Sequence, residues 1–332
     1  MQSGHSDSYY KTFHASNRPS GIAMSRKPTH IIVNPASAGG RTGKRSAEIN
    51  AAINKFFGKD YSLFVTERPL EASESAARAV RDGAELVIAV GGDGTLQEVV
   101  NGLFLNGHLI NPQCQFGVVS SGTGKGFAQS TGLPASLDGQ MQLIHDAQGR
   151  LIDVGRVDFF TVTGTRSHRY FLNECQCGIG GEVVRAVQHS HKRLGGTLGF
   201  GLGTIETTFR YKNQPMIITK EDGTSRSGLI TGIVVANGEF TGGGMNLAPG
   251  ARMDDGLLDV LLMHNLTIFR RLMVYPRIYS GTHIRTALFS YFRASCLTVE
   301  SAEQVLVEAD GELLGTTPCT ITILPSQLLV RI

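Results

Sequence analysis

The run Leu86-Val87-Ile88-Ala89-Val90 leads straight into Gly91-Gly92-Asp93-Gly94-Thr95. Leu96-Gln97-Glu98-Val99-Val100-Asn101-Gly102-Leu103 then follows with its apolar residues at helical spacing. A short, continuously apolar run bounded by glycine reads as a strand of a parallel sheet, buried on both faces. The glycines therefore occupy a strand-to-helix turn. Glycine lets backbone amides come close to a bound anion, and a helix N-terminus favours negative charge. Asp93 in such a turn repels phosphate unless a cation stands between them. The stretch reads as a nucleotide-phosphate site that uses magnesium, and the bland alternative is a tight turn with an exposed aspartate.

The same alternation runs through the first 150 residues. Thr29–Val33 reads as a strand ending at Asn34-Pro35, and a Gly39–Lys44 loop opens a helix over Ser46–Phe57. Tyr61–Thr66 reads as a strand, Glu71–Arg81 as a helix stopped by Asp82-Gly83, and Phe116–Val119 as a strand before Ser120–Gly126. Strand and helix alternating at this spacing predict a parallel α/β sheet, whose ligands bind beyond the carboxyl ends of the strands. Asn34, Thr66, Gly92–Thr95 and Thr123 fall at those ends.

Beyond about residue 150 the pattern becomes strand-rich. Strands are expected at 152–157, 170–177, 216–220, 228–237, 257–264, 295–300, 304–309 and 320–324, with helices only near 182–191, 204–211 and 268–279. Short strands between turn residues predict an antiparallel β-sandwich or barrel. The expected organisation is a flexible leader over 1–27, an α/β (Rossmann-like) nucleotide domain over 28–150 and a β-rich substrate domain over 151–324. Residues 325–332 have the option of returning to the first domain.

Composition narrows the class. The chain has 332 residues with 41% hydrophobic and 18% charged, which is globular. A net charge of +3 is too mild to point to nucleic acid. Five scattered cysteines without zinc spacing read as reduced thiols of a cytoplasmic protein. No run of 18 apolar residues appears, so no membrane span is expected.

Five phrases then match one family in order: Asn34-Pro35-Ala36-Ser37-Ala38-Gly39, Gly91–Thr95, Gly122-Thr123-Gly124, Ala251–Asp259 and Asp310-Gly311-Glu312. From about Thr29 to Ile332 the chain resembles the diacylglycerol kinase catalytic-domain superfamily, which includes soluble bacterial diacylglycerol kinases and sphingosine kinases. The resemblance implies an ATP-dependent lipid kinase with ATP as co-substrate, Mg2+ as cofactor and a lipid alcohol as acceptor. It implies a peripheral meeting with the membrane surface and allows a homodimer. By that resemblance Asn34, Pro35, Ala36, Ser37, Ala38, Thr66, Gly92, Asp93, Gly94, Thr95, Leu96, Gln97, Glu98 and Thr123 would hold ATP. Glu312 would be the proton acceptor, with Asp310 and Asp93 acting beside it. Which of these carboxylates is base and which is metal ligand stays open. A second, structural magnesium would take the carboxylate of Asp255 and the carbonyls of Arg252 and Leu257.

The chain departs from the family at Lys125-Gly126, where Asn-Asp is usual. Lysine has three donors and no acceptor, so Lys125 is expected to meet an ATP phosphate directly. The departure also motivates a second reading, a catalytically weak nucleotide- or lipid-binding regulator. A third is an NAD kinase-like enzyme, since such enzymes share Gly-Gly-Asp-Gly. Lys192, Arg193 and Arg185 resemble a phosphate-clamping basic cluster. Phe159-Phe160 and Leu198–Leu202 are candidate lipid-pocket residues, and Gly195–Gly203 a candidate mobile entry loop.

Overall fold

The computed structural model describes residues 28–122, 125–191, 196–241 and 243–332. The leader, Thr123, Lys192 and Arg193 lie outside the described residues. The chain forms two compact units. The first holds the described residues of Met1–Thr123 with Thr131–Leu151 and Gln327–Ile332. The second holds those of Gly124–Ser130 and Ile152–Ser326.

In the first unit, β1 (Thr29–Val33), β2 (Tyr61–Val65), β3 (Leu86–Gly91) and β4 (Gln115–Ser120) alternate with helices. The helices are α1 (Ser46–Phe57), α2 (Glu71–Arg81) and α3 (Asp93–Leu103). α4 (Gly126–Thr131) belongs to the second unit, and α5 (Leu137–Asp146) to the first. β2, β1, β3 and β4 pair in that order, all parallel. Leu329 and Val330, near the C-terminus, add a fifth parallel strand on β4.

Every residue of β3 is buried, as its unbroken apolar run requires. α2 shows how a helix is specified here. Ala72, Ala76, Ala79 and Val80 line one buried face, Glu71 and Glu74 sit in the first turn and Arg78 and Arg81 in the last. That charge order complements the helix dipole, and Gly83, at φ 92°, ends the helix. Ile31, Val33, Ile88 and Val90 from the sheet meet Ile49, Ile53, Met141 and Ile144 from α1 and α5 in one core.

The second unit runs through β5 (Arg150–Phe160), β6 (Arg166–Phe171), β7 (Glu174–Gly178), α6 (Ile179–Ala186) and α7 (Gly196–Arg210). It continues with β8 (Gln214–Lys220), β9 (Ser225–Ile230), β10 (Gly232–Ala236), β11 (Leu258–Met263) and α8 (Ile268–Tyr279). It closes with β12 (Phe289–Ala294), β13 (Cys296–Glu300), β14 (Leu306–Ala309) and β15 (Glu312–Val330). Strands pair in the order β12-β11-β10-β7-β14-β15. β15 also pairs with β13, and β13 with β8. These pairings are antiparallel and build a β-sandwich. Cys175, Cys177 and Cys319 are packed inside it among Val157, Phe171 and Val307, with 3.6 Å between the sulfurs of Cys177 and Cys319.

Several local expectations are corrected. The strand expected over 170–177 is two strands, because the amides of Leu172, Asn173 and Glu174 turn aside to the carboxylate of Asp310. The strand expected over 228–237 breaks at Thr231, whose amide and hydroxyl bond outside that ladder to Met263, Asn213 and His264. Residues 320–324 are the middle of the 19-residue β15, and β12 is an additional strand. The Gly39–Lys44 loop coils into two short helical turns. The segment read as a mobile entry loop is helical from Gly196 onward. Phe159 is 4% exposed and packed in the sandwich core.

Candidate active site

In the first unit the turns after β1, β3 and β4 converge. The side chain of Asn34 donates from Nδ2 to Thr95 Oγ1 at 3.0 Å, and its Oδ1 accepts from the Ala36 amide at 3.0 Å. Asn34 thus fastens the end of β1 to the first turn of α3. A relay of hydroxyls links the other loops, Ser37 Oγ to Thr42 Oγ1 at 2.5 Å and Thr42 Oγ1 to Ser121 Oγ at 2.7 Å. Thr66 is buried, and its amide donates to the carbonyl of Val33 at 2.9 Å.

The glycines do what only glycine can at this spot. A Cβ at Gly122 would stand 2.6 Å from the Cα of Gly92, and one at Gly91 would stand 2.5 Å from Thr95 Oγ1. The two glycine loops touch backbone to backbone. Gly92 is the extended residue ahead of α3, and no side chain caps this helix. The amides of Thr95 and Leu96 are already spent on the Gly92 carbonyl. The N-cap of α3 is thus a glycine with no side chain to offer, and Asp93 places a carboxylate in the first turn, so a phosphate at this helix N-terminus calls for a cation between the two. Asp93 and Glu98 are half-buried on this helix. Leu96 and Gln97 are 2% and 1% exposed. Pro35 is buried, Ala36 exposed, and Ala38 is held at φ 55° next to two left-handed glycines.

In the second unit, Asp310-Gly311 forms the two-residue turn between β14 and β15, with φ of 47° and 82°. Two positive φ values suit an Asp-Gly hairpin. Yet Asp310 does more than turn the chain. Its carboxylate accepts from the amides of Leu172 at 2.8 Å, Asn173 at 2.8 Å and Glu174 at 3.1 Å. Both carboxylate oxygens are engaged, so Asp310 stands as an anchor of this turn and of the β6–β7 corner. Glu312 is the first residue of β15, half-buried and directly opposite Ala309.

Two further carboxyls lie at this turn that the sequence reading did not single out. Glu308 is 1% exposed and Glu174 3%. Burial first, and then the charge of Glu174, push the Glu308 carboxyl well above the usual carboxylate range, while the Gly311 amide, 3.0 Å from Glu308 Oε2, pulls the other way. Glu174 opens the run Glu174-Cys175-Gln176-Cys177, and nothing in the sequence flagged it. Glu308 sits two residues before Asp310, and that proximity was the one available signal.

The Arg252–Leu257 turn is pinned by a buried residue of β5. Asp153, 1% exposed, accepts from the amides of Gly256 and Ser326, both at 2.7 Å. Asp255 Oδ1 accepts from the Leu257 amide at 3.1 Å, and Oδ2 faces Arg293 Nη1 at 3.4 Å. Arg293 also donates to Asp259 Oδ1 at 3.1 Å. The carboxylate of Asp255 and the carbonyls of Arg252 and Leu257 are an all-oxygen set that suits a hard cation. A cation there would share Asp255 with the guanidinium of Arg293.

Residues 28–157 match the diacylglycerol kinase catalytic domain, and residues 173–332 match the YegS C-terminal NAD kinase beta sandwich-like domain. The two matches follow one another along the chain, and the relatives it resembles carry the name diacylglycerol kinase. It is 28% identical over 295 residues to a diacylglycerol kinase of Bacillus subtilis, covering 88% of this chain and 92% of that protein. It is 26% identical over 293 residues to one of Staphylococcus carnosus, covering 88% and 91%. A crystal structure of a Bacillus anthracis diacylglycerol kinase superposes with a TM-score of 0.66 at 21% identity, covering 92% of this chain and 96% of that one, which shows the shared fold.

The departure at Lys125 has a backbone signature. Lys125 is exposed and held at φ 52°, ahead of α4. Asparagine tolerates that left-handed region far better than lysine. Gly126 is required after it, because a Cβ there would stand 2.8 Å from the carbonyl of Phe240. Arg185 is ion-paired with Glu182 one turn away, which takes up part of the basic cluster expected around it.

Proposed function

We propose that this chain transfers the γ-phosphoryl group of ATP to the hydroxyl of a lipid alcohol, such as diacylglycerol or a sphingoid base. The observation that carries the reading is the junction of the two glycine loops at the start of α3, whose N-cap is Gly92, with Asn34 and Thr95 bonded beside it. Backbone amides and hydroxyls there suit the oxygens of a nucleotide phosphate. Asn34, Ser37, Ala38, Thr66, Gly92–Thr95 and Thr123 are assigned to ATP, and Lys125 to a phosphate oxygen. Phosphoryl transfer asks for positioning and charge neutralisation more than covalent help. Glu312 is assigned to the acceptor hydroxyl, whose proton it takes as the oxygen attacks. Asp310 holds the turn that presents Glu312. Asp93 suits Mg2+, which when bound neutralises charge on the phosphate oxygens. Because the acceptor is a lipid, the reaction is assigned to the cytoplasmic surface of a membrane.

The test is incubation with radiolabelled ATP, Mg2+ and a total lipid extract, followed by identification of the labelled product. A labelled lipid is expected, and Asp93→Asn should abolish it. Label entering NAD with no lipid present would replace this reading with the NAD kinase-like one. ATP binding without transfer to any lipid would leave a nucleotide-binding regulator.

A further inference from the structure

Helix α8 has two apolar faces. Its inward face is ordinary: Val274 is 2% exposed, and Ile278 packs on the core that contains Leu261 and Phe289. Its outward face carries Ile268, Phe269, Leu272 and Met273, exposed by 41%, 70%, 45% and 51%. Positions i, i+1, i+4 and i+5 stand together on one side of a helix. A surface helix normally turns polar residues outward, so a helix apolar on both sides has a second nonaqueous environment to meet.

The helix is fixed in place. Arg271 is buried and donates to the carbonyls of Thr208 and Tyr211, both at 3.0 Å, and its guanidinium lies over the Tyr211 ring. It thereby ties α8 to the end of α7, whose outward residues Leu202, Ile205 and Phe209 are also apolar and exposed.

Charge identifies the occupant. Between Asp259 and Glu300 the chain contains no aspartate or glutamate and five arginines, of which Arg271 is buried, Arg293 is paired with Asp255 and Asp259, and Arg270, Arg277 and Arg285 remain. With 28 acidic residues in 332, a stretch of that length would ordinarily hold several. Arg270 and Arg277 are exposed on α8 itself, beside the apolar face. A second copy of the chain docking here by two-fold symmetry would set arginine against arginine. An anionic bilayer surface offers what both features need, acyl chains for Phe269 and Met273 and lipid phosphates for the arginines.

We propose that the outward face of α8 is the surface by which this chain docks on anionic membranes. The inference rests on the lipid-kinase reading for its purpose, though not for its test. The full-length chain is mixed with vesicles of phosphatidylcholine alone or with phosphatidylglycerol, and the bound fraction is measured without ATP. The parent chain is expected to bind the vesicles containing phosphatidylglycerol. Phe269→Asp with Met273→Asp should lower that partition about tenfold or more. Arg270→Ala with Arg277→Ala should remove the preference for phosphatidylglycerol and flatten the salt dependence. Both variants should phosphorylate a short-chain lipid alcohol in detergent at the parent rate. That control separates the two readings, since loss of kinase chemistry would appear in detergent and loss of docking only on vesicles. Unchanged vesicle binding by the Phe269/Met273 variant overturns the proposal. So does a fall from dimer to monomer in that variant with vesicle binding intact, which would assign the face to a second copy.

Discussion

Asp310 and Glu312 are two residues apart and differently placed, Asp310 bonded to three backbone amides and Glu312 half-buried at the start of β15. The Asp-Gly-Glu phrase is legible in the sequence, but the partners of Asp310 are not, because they lie 136 to 138 residues earlier in the chain. Asp310→Ala would leave buried amides of Leu172, Asn173 and Glu174 without their acceptor. At ~1–3 kcal/mol for each such group, a loss of about 3 kcal/mol or more is expected by denaturant titration. Glu312→Gln keeps the shape of a half-buried side chain and should change stability by less than ~0.5 kcal/mol, while removing turnover. If Asp310→Ala were as stable as the parent, the anchoring role would be wrong. Lys125 is a second case in which identity was readable and conformation was not. Its left-handed backbone predicts that Lys125→Asn raises stability by about 0.5–1 kcal/mol in thermal unfolding, and the lost ammonium should weaken ATP binding in calorimetry.

At the level of elements, most strands and helices follow from periodicity, and the exceptions have local causes. β1, β3, α1, α2 and α8 lie where apolar spacing puts them, because each satisfies its own backbone and buries one face or two. The corner between β6 and β7 and the break at Thr231 were invisible, since each is caused by a side chain or backbone group from a distant strand. The glycine loops stand between these extremes. Their flexibility is evident from composition, whereas the contact of Gly92 with Gly122 comes only from the pairing of β3 with β4. That contact makes an unequal prediction for two similar substitutions. Gly122→Ala drives a Cβ to 2.6 Å from backbone and must part the loops, at a cost of about 1–3 kcal/mol and most of the ATP affinity. Gly92→Ala meets Gly122 at 3.4 Å, an ordinary contact, and should be milder in both measurements. Equal effects of the two would mean that the loops do not touch in solution.

For the whole molecule, the two units carry opposite responses to pH. In the first unit, His30 is enclosed between Ser62 and Ser75, at 2.6 and 2.8 Å, and burial lowers its pKa to about 4. The unfolded chain takes up the proton near pH 6.5. Between these values the unfolded state binds a proton that the folded state does not, so stability falls as pH drops from about 6.5 to 4. The loss by the acid end is about 3 kcal/mol. In the second unit, Glu308 is pushed the other way, mainly by burial and by Glu174. Its folded form keeps the proton that the unfolded chain releases near pH ~4.3, so its contribution is full below that value and is lost as pH rises toward the raised folded pKa. Neither trend could be read from the sequence, because each depends on how completely the fold encloses one side chain. Hydrogen exchange resolves the units separately, through amides of β3 for the first and β14 for the second. Protection of β3 is expected to rise from pH 4 to 6.5, and that of β14 to fall as pH rises above about 4.3, once intrinsic exchange rates are corrected. His30→Gln should flatten the first trend alone, and Glu308→Gln the second alone. A single pH profile shared by both sets of amides, unchanged by either substitution, would show that neither buried group governs the stability of its unit.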